Sequence, residues 1–268
     1  MSLGIAYKGP KGIVLAADSR VTVMGTQPDG TKIPSTFDNA TKLLQIRGQD
    51  FVGVVTYGQG ALGASQPRTA HSYIPELEQV LTDRGRISVE AVAGEVSEFF
   101  KAKWDAAAMP TGADSMIFLV GGYDEGDTYG RVFQFDIPKA IKPVEQSVHD
   151  FGLSFGGQAE LVARLLVGFD PSLIETARKA LTLSANQVGT LQASLKALQL
   201  SIPMQLLPLQ DAVDLVIFLI QTTASLQKWT LGVRGVGGPI DVATITRTDG
   251  FSALQRKQLR GNSVVVHH

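Results

Sequence analysis

One short stretch of the chain has the spacing of a nucleotide-binding loop. Residues 54–57 are the largely apolar Val-Val-Thr-Tyr, and glycines follow at Gly58, Gly60 and Gly63 in the pattern Gly-x-Gly-x-x-Gly. Between a strand and a helix, this pattern lets the backbone approach a pyrophosphate at the helix N-terminus. The same pattern also fits a turn that leaves a strand, where glycine is merely permissive. The elements around it decide between the two interpretations.

The other reactive residue types narrow the chemistry. The chain has no cysteine, which excludes a disulfide framework, a thiolate metal site and a cysteine nucleophile, and which suits a reducing cytoplasm. Its four histidines are His71, His149 and the terminal pair His267 and His268. Their spacing suggests no metal site, and we expect no cofactor.

Composition favours one folded domain. The chain has 268 residues, of which 44% are hydrophobic and 18% charged, and its formal net charge is -1. Because there is no basic excess to neutralise phosphates, nucleic acid is a poor candidate partner. The longest apolar run, 212–220, is interrupted by Asp214 and is too short to span a bilayer, and no signal peptide is visible. We therefore expect a soluble cytoplasmic protein with a single domain over 1–268.

Hydrophobic spacing predicts pairs of strands separated by helices. The predicted strand pairs are 3–8 with 12–17, 42–46 with 51–57, and 116–121 with 130–136, and a last clear strand is 240–246. Helices are predicted at 70–82, after an N-cap at Ser88, and at 158–167, 171–205 and 211–226. Gly, Pro, Thr and Asp are frequent in 24–39, which predicts a long loop there.

This order argues against a nucleotide site. A dinucleotide-binding unit needs a strand, a helix and a parallel strand that ends in an acidic residue. Asp83 lies at a suitable distance, but two successive helices follow Gly58 with no strand between them. Pro67 and Pro75 also interrupt the segment where the required helix would begin. The residues alone therefore favour a turn.

Four sequence blocks occur in the order and approximate spacing of the proteasome β-subunit family. They are GIVLAADSRVT (12–22), TKLLQI (41–46), VTYGQGALG (55–63) and GGPIDVATITRTDGF (237–251). The chain resembles this family over most of its length. The resemblance implies an α+β Ntn-hydrolase fold, a four-layer αββα sandwich in which two antiparallel sheets pack face to face with helices outside each.

The resemblance also implies a catalytic site. In this family the nucleophile is a hydroxyl on the first residue of the mature chain, and the α-amine of that residue accepts its proton; such an amine has a pKa of about 7.7 to 8.0. By resemblance, Asp18 and Lys42 set the field beside the hydroxyl, and the backbone N–H of Gly58 forms the oxyanion hole. Without the resemblance, Asp18 would be interpreted as a turn cap and Lys42 as a solvated edge charge.

Further residues are implied on the substrate side. Thr22 would hold the substrate backbone as an added strand, and Arg20 would brace the catalytic carboxylate. Val21, Thr56 and Gly60 would line the first specificity pocket, which suits a medium apolar side chain. The implied partners are a peptide or unfolded protein substrate, other copies of the chain in a ring or double ring, and an ATPase unfoldase.

The N-terminus departs from the family, which has threonine where this chain has Met1, Ser2 and Leu3. A gapless alignment of the first strand places the nucleophile before Met1, so two interpretations are open. Removal of Met1 would make Ser2 the nucleophile, with the first strand shortened by one residue. Retention of Met1 would make the chain inert. Residues 233–236 also lack the aspartate and serines of the family, and the family's Ser-Gly-Ser region corresponds only loosely to 154–157.

The chain is longer than the family core, largely within 171–205. We expect a helical insertion that contacts a neighbouring subunit or narrows an entrance, or else packs on its own chain. Its predicted buried side consists of Ile174, Ala177, Leu181, Leu191, Leu195 and Leu198. Three functions stay open: a self-compartmentalising peptidase, a noncatalytic ring subunit, and a small-molecule Ntn amidohydrolase. The sequence blocks favour the peptidase.

Overall fold

The central strands are continuous apolar runs, and pairs of neighbouring strands build the structure. The computed structural model describes residues 2–63, 66–197, 199 and 201–258. The strands are β1 (Leu3–Gly9), β2 (Gly12–Ala17), β3 (Val21–Thr26), β4 (Lys32–Phe37), β5 (Leu43–Gln45), β6 (Val52–Gly58), β7 (Ala61–Leu62), β8 (Arg68–Thr69), β9 (Met116–Gly122), β10 (Arg131–Ile137), β11 (Ala140–Gln146), β12 (Gly152–Gly157), β13 (Asp241–Thr246) and β14 (Gly250–Gln255). The α-helices are α1 (Ile74–Leu81), α2 (Val89–Ala106), α3 (Glu160–Val167), α4 (Leu173–Ala180), α5 (Ala185–Ala197) and α6 (Leu209–Leu226).

Two five-stranded sheets form the centre of the molecule. One has the order β12-β1-β2-β13-β14 and the other the order β11-β10-β9-β6-β5. The paired strands within both sheets are antiparallel. This excludes the parallel unit that a dinucleotide site needs, so the interpretation of Gly58 as the end of a strand is confirmed.

Side chains sort into layers because successive residues of a strand face opposite sides of a sheet. In β2, Ile13 and Leu15 point into the core between the sheets, whereas Val14 and Ala16 point into the core under α3 and α6. In β6, Val54 faces the core under α1 and α2, and its neighbour faces the other sheet. The order of layers is therefore helices, sheet, sheet, helices, and the predicted αββα sandwich is confirmed.

Local signals explain two of the helices. Ser88 caps α2 by accepting a hydrogen bond from the backbone N–H of Ala91 at 3.1 Å, as predicted. Within the part of the chain that the structure describes, only α6 has the length and hydropathy of a membrane span, with 18 residues and a mean hydropathy of 1.3. Its inner side packs against β1 and β2 through residues such as Val216 and Ile220. Core helices commonly pass the same test.

The predicted loop over 24–39 is wrong. Strands β3 and β4 form an antiparallel hairpin there, with Val21 opposite Phe37. Its turn is closed by Asp29, whose carboxylate accepts a hydrogen bond from the N–H of Thr31 at 2.8 Å. The loop composition is compatible with strands because β4 is an edge strand, where Pro34 removes no ladder hydrogen bond on its outer side.

The predicted buried side of the insertion is only half-buried. Neither α4 nor α5 contains a fully buried residue: Ile174, Ala177, Leu191 and Leu195 are half-buried, and Leu181 is exposed. Leu198 lies outside the described residues. The two helices contact each other, and the segment after them is tied to its own chain, because the Tyr7 hydroxyl donates to the carbonyl of Met204 at 2.7 Å. The predicted side is therefore the less exposed side of these two helices, and the prediction fails at Leu181.

Candidate active site

Asp18 lies where four segments of the chain meet. It follows directly after β2 and is only 1% exposed. Its Oδ1 accepts hydrogen bonds from the N–H of Leu3 at 3.0 Å and from Lys42 Nζ at 2.8 Å. Its Oδ2 accepts from the N–H groups of Arg20 and Gly237, both at 3.0 Å. Four donors match the about four acceptor sites of an ionised carboxylate, so the group is fully satisfied.

Lys42 is the buried partner of that carboxylate. It precedes β5 and is 6% exposed. Its Nζ donates to Asp18 and to the carbonyl of Arg20, the latter at 2.5 Å. Burial lowers the pKa of Lys42 below the ordinary 10.5, the charge and hydrogen bond of Asp18 act in the opposite direction, and the nearby charge of Lys257 lowers it further. An ammonium has three donors, so one N–H is available beyond these two bonds.

Ser2 and Gly58 meet beside this ion pair. Ser2 is 2% exposed, and its Oγ accepts a hydrogen bond from the N–H of Gly58 at 3.2 Å. Gly58 ends β6 with φ +86°, and a Cβ there would lie 2.3 Å from the carbonyl oxygen of Ser115. Only glycine fits that conformation and that space. The residue predicted to be the nucleophile thus contacts the amide predicted to form the oxyanion hole.

The start of β1 corrects one expectation. The strand begins at Leu3, which pairs with Gly157 of β12, and the carbonyl of Ser2 accepts a hydrogen bond from the N–H of Gln158 at 2.8 Å. Ser2 reaches Gly58 in this register. The shortening of the strand that the sequence comparison required is therefore wrong. Met1 lies outside the described residues, so its removal stays a prediction.

Arg20 contacts Asp18 through its backbone and Asp38 through its side chain. Its guanidinium binds Asp38 in a bidentate salt bridge, with Nε–Oδ1 at 2.6 Å and Nη2–Oδ2 at 2.7 Å. The hydrogen bonds that Arg20 donates to Asp38 raise the pKa of Arg20 above its ordinary value. Arg20 braces Asp18 through its backbone N–H, while its side chain lies against Gly237, where a Cβ would be 2.6 Å from Cζ. The contact with Asp18 that the resemblance implied is thus made by the backbone of Arg20, while its side chain binds Asp38.

Val21, Thr56 and Gly60 come together at a small cavity. They line it with Ser2, and its volume is about 20 Å³. This is room for about one water molecule. Thr56 Oγ1 is buried without a hydrogen-bond partner among the described residues, and so is Oγ1 of Thr22 in β3. The predicted pocket residues are adjacent to the predicted nucleophile, but the pocket must open before it can take an amino-acid side chain.

Two glutamines that the sequence did not single out connect the site to α6. Gln227, at the end of α6, accepts a hydrogen bond from the N–H of Val236 at 2.9 Å and donates to Oε1 of Gln158. The backbone of Gln158 in turn holds Ser2. Together these amides connect Ser2, α6 and the segment before Gly237. Nothing in one sequence links residues 158 and 227, which are joined only by the fold.

The fold and the site together define a class. A four-layer αββα sandwich of antiparallel sheets is the Ntn-hydrolase fold, here in its proteasome-like form. The site residues lie at one end of the sandwich, where β1, β2 and β6 start or end.

Solved structures with this architecture match nearly the whole chain. An Anbu (Gly-1) mutant from Hyphomicrobium sp. strain MC1 is 17% identical with a TM-score of 0.56, covering 96% of this chain and 86% of that one. Anbu from the same strain is 16% identical with a TM-score of 0.55, covering 95% and 86%. Anbu (ancestral beta-subunit) from Yersinia bercovieri is 16% identical with a TM-score of 0.55, covering 94% and 86%. No family model and no curated protein matches the sequence. At these identities the likeness establishes the fold.

Proposed function

We propose that the chain is a proteasome-like Ntn peptidase that hydrolyses peptide bonds through the Ser2 hydroxyl once Met1 has been removed. The observation that carries the proposal is the 3.2 Å contact between Ser2 Oγ and the N–H of Gly58, beside the buried pair of Asp18 and Lys42. A hydroxyl, a fixed amide donor and a buried cation are the groups that such chemistry needs.

The first half of the reaction follows from these contacts. The α-amine of Ser2 accepts the hydroxyl proton, directly or through water, as Oγ attacks the carbonyl carbon of the substrate. The oxygen of that carbonyl becomes negative and accepts the hydrogen bond from Gly58. Because Ser2 Oγ occupies this donor in the resting site, the hydroxyl must turn away from Gly58 as the substrate binds.

The second half returns the proton. The tetrahedral intermediate collapses to an ester on Ser2, and the leaving amine takes the proton from the α-ammonium. Water then hydrolyses the ester with the same amine as base. The positive charge of Lys42 favours the neutral amine, because like charges lower the pKa of a nearby ammonium group, and its third N–H is available to a developing alkoxide.

We further propose that the protein works in the cytoplasm as a homo-oligomeric ring or double ring, supplied with unfolded protein by an ATPase unfoldase. Support for contacts with other subunits comes from exposed apolar residues within 173–206, among them Leu173, Leu181 and Leu206.

A noncatalytic ring subunit is the second candidate. The specific observation in its favour is the cavity of about 20 Å³ at Ser2, which has no room for a substrate side chain. A scaffold subunit would need the fold and the ion pair but no open pocket.

Intact-mass spectrometry with covalent probes separates the two candidates. An epoxyketone reacts with both the hydroxyl and the free amine of a terminal residue, so a single adduct on Ser2 supports the peptidase. We expect Ser2→Ala to abolish the adduct and Ser97→Ala, which removes another buried hydroxyl, to retain it. Retained Met1 with no adduct from either an epoxyketone or a β-lactone would favour the scaffold. Mass measurement in solution tests the ring, and a monomer would contradict it.

A further inference from the structure

A second and larger cavity lies beside the candidate active site. Its volume is about 780 Å³, within the usual range of ligand pockets, which is about 300 to 1,000 Å³. The ends of β6, β9, β10, β12, α3 and α6 surround it. Gly58 lines both this cavity and the small one at Ser2. Gly157 and Gln158 also line it, and the backbone of Gln158 is bonded to Ser2.

Two polar groups in its wall have no hydrogen-bond partner among the described residues. Ser115 is 8% exposed, and its Oγ is buried and unpaired. Oδ1 of Asp136 is also buried and unpaired. The strand register places Tyr57, Ile117 and Asp136 in one row on the side of the sheet that faces the other sheet, and Ser115 lies two residues before Ile117. A buried acceptor without a donor is costly, so the cavity lacks a group that would satisfy Asp136.

The charges around the cavity favour a cation. Its lining carboxylates are Asp114, Asp136 and Glu160, and its lining cations are Lys139 and Arg164. Arg164 is held from outside by Asp170, with Nε–Oδ2 at 2.8 Å. Three carboxylates are thus set against one lysine that has no carboxylate partner among the described residues.

We propose that this cavity takes the leaving-group side of the substrate and that Asp136 selects lysine or arginine as the first residue after the scissile bond. The assignment to the leaving-group side rests on the proposed function: Gly58 would hold the carbonyl oxygen, the small cavity would take the acyl side, and the larger cavity, which also borders Gly58, remains for the amine. Asp136 lies two strands from β6, about 10 Å across the sheet, which suits a long cationic side chain.

Cleavage of matched peptides tests the selectivity. The peptides differ only in the first residue after the scissile bond, which is lysine, norleucine or glutamate. We expect kcat/KM to favour lysine over norleucine roughly tenfold, from a charge-assisted hydrogen bond to Asp136, with glutamate slowest. Asp136→Asn brings the ratio of lysine to norleucine close to one. Asp127→Asn, which removes an exposed carboxylate outside this cavity, leaves the ratio unchanged. An unchanged ratio in Asp136→Asn would overturn the proposal.

A binding experiment separates this proposal from the peptidase. The probe is lysyl-glycinamide, compared with norleucyl-glycinamide, titrated into Ser2→Ala protein and followed by NMR. We expect the lysyl dipeptide to bind roughly tenfold more tightly, and Asp136→Asn to remove the difference. Binding of this kind to Ser2→Ala protein, together with no hydrolysis of the matched peptides by protein that retains Ser2, would support the cavity site and refute the peptidase. Hydrolysis with no preference and no difference in binding would leave the peptidase and overturn the cavity site. If Asp136→Asn does not fold, Lys139→Glu on the exposed rim provides the complementary test, because it should raise the preference for lysine.

Discussion

Lys42→Met is the substitution that most directly tests the buried ion pair. It removes the ammonium that faces Asp18 at 2.8 Å and keeps a side chain of similar length. The side chains of Lys42 and Asp18 are 7% and 0% exposed, so water cannot replace the lost partner. Breaking a buried pair by removing one member typically costs about 3 to 5 kcal/mol.

The hydrogen bonds that remain to the unpaired charge decide where in that range the loss of unfolding free energy falls for each variant. After Lys42→Met, Asp18 keeps three backbone N–H donors, so we expect the lower end, about 3 kcal/mol of unfolding free energy. After Asp18→Asn, Lys42 keeps only the carbonyl of Arg20, and three N–H groups lose a charged acceptor. We therefore expect about 5 kcal/mol. The double variant should cost less than the sum by about 1 to 3 kcal/mol, because neither charge is then left alone.

Urea unfolding at a fixed protomer concentration measures these differences, since stability depends on concentration in an oligomer. The matched control is Lys101→Met, which breaks the exposed pair of Lys101 and Asp105 on α2 and should cost under about 1 kcal/mol. If Lys42→Met costs no more than this control, or if the two site variants are additive, the ion pair does not stabilise the fold as we argue.

Three further predictions concern the Gly58 amide, the titration of Lys42 and the N-cap of α2. Gly58→Ala places a Cβ against the carbonyl of Ser115 and displaces the amide, so probe labelling of Ser2 should slow about 10²–10³-fold. In the control Gly60→Ala, the Cβ meets only the Val21 side chain, at 3.3 Å, so labelling should slow less. When the rate of probe labelling is plotted against pH, the midpoint of its fall on the alkaline side should lie below 10.5, because burial lowers the pKa of Lys42. Asp18→Asn should move this midpoint lower still, because Asp18 raises the pKa of Lys42. A midpoint that does not move would assign the fall to another group. Ser88→Ala should cost about 1 kcal/mol in urea unfolding through the lost cap of α2, and no measurable loss would show that the cap is not needed.

The sequence predicted the central strands of both sheets and missed three of the four edge strands. Strands β2, β6 and β9 are buried on both faces, and their apolar runs stand out. Strands β11, β12 and β14 are three of the four outermost strands of the two sheets and are mostly half-buried or exposed; the fourth, β5, was predicted within 42–46. Edge strands carry polar residues and glycine, which also occur in loops, so periodicity does not distinguish them.

The candidate site divides in the same way. Asp18 and Gly58 could be predicted because each directly ends or follows a buried strand inside a recognisable block. Asp38, Gln158 and Gln227 could not, because each contacts the site through pairing between distant segments. The larger cavity that borders Gly58 could not be predicted from the sequence either, because its walls come from the ends of six elements that are adjacent only in the fold.

The ion pair alone does not distinguish an enzyme from a scaffold. Asp18 joins β1, β2, the Lys42 segment and Gly237, and a noncatalytic subunit would need that junction for stability as much as a peptidase would. Gly58 is required in either case, because the carbonyl of Ser115 leaves no room for a side chain. Alanine at position 2 would fill the same space as serine, but it would leave the N–H of Gly58 without its acceptor, at a typical cost of about 1 to 3 kcal/mol. The hydroxyl therefore has a use in a scaffold as well, so its reactivity, and not its presence, decides the function.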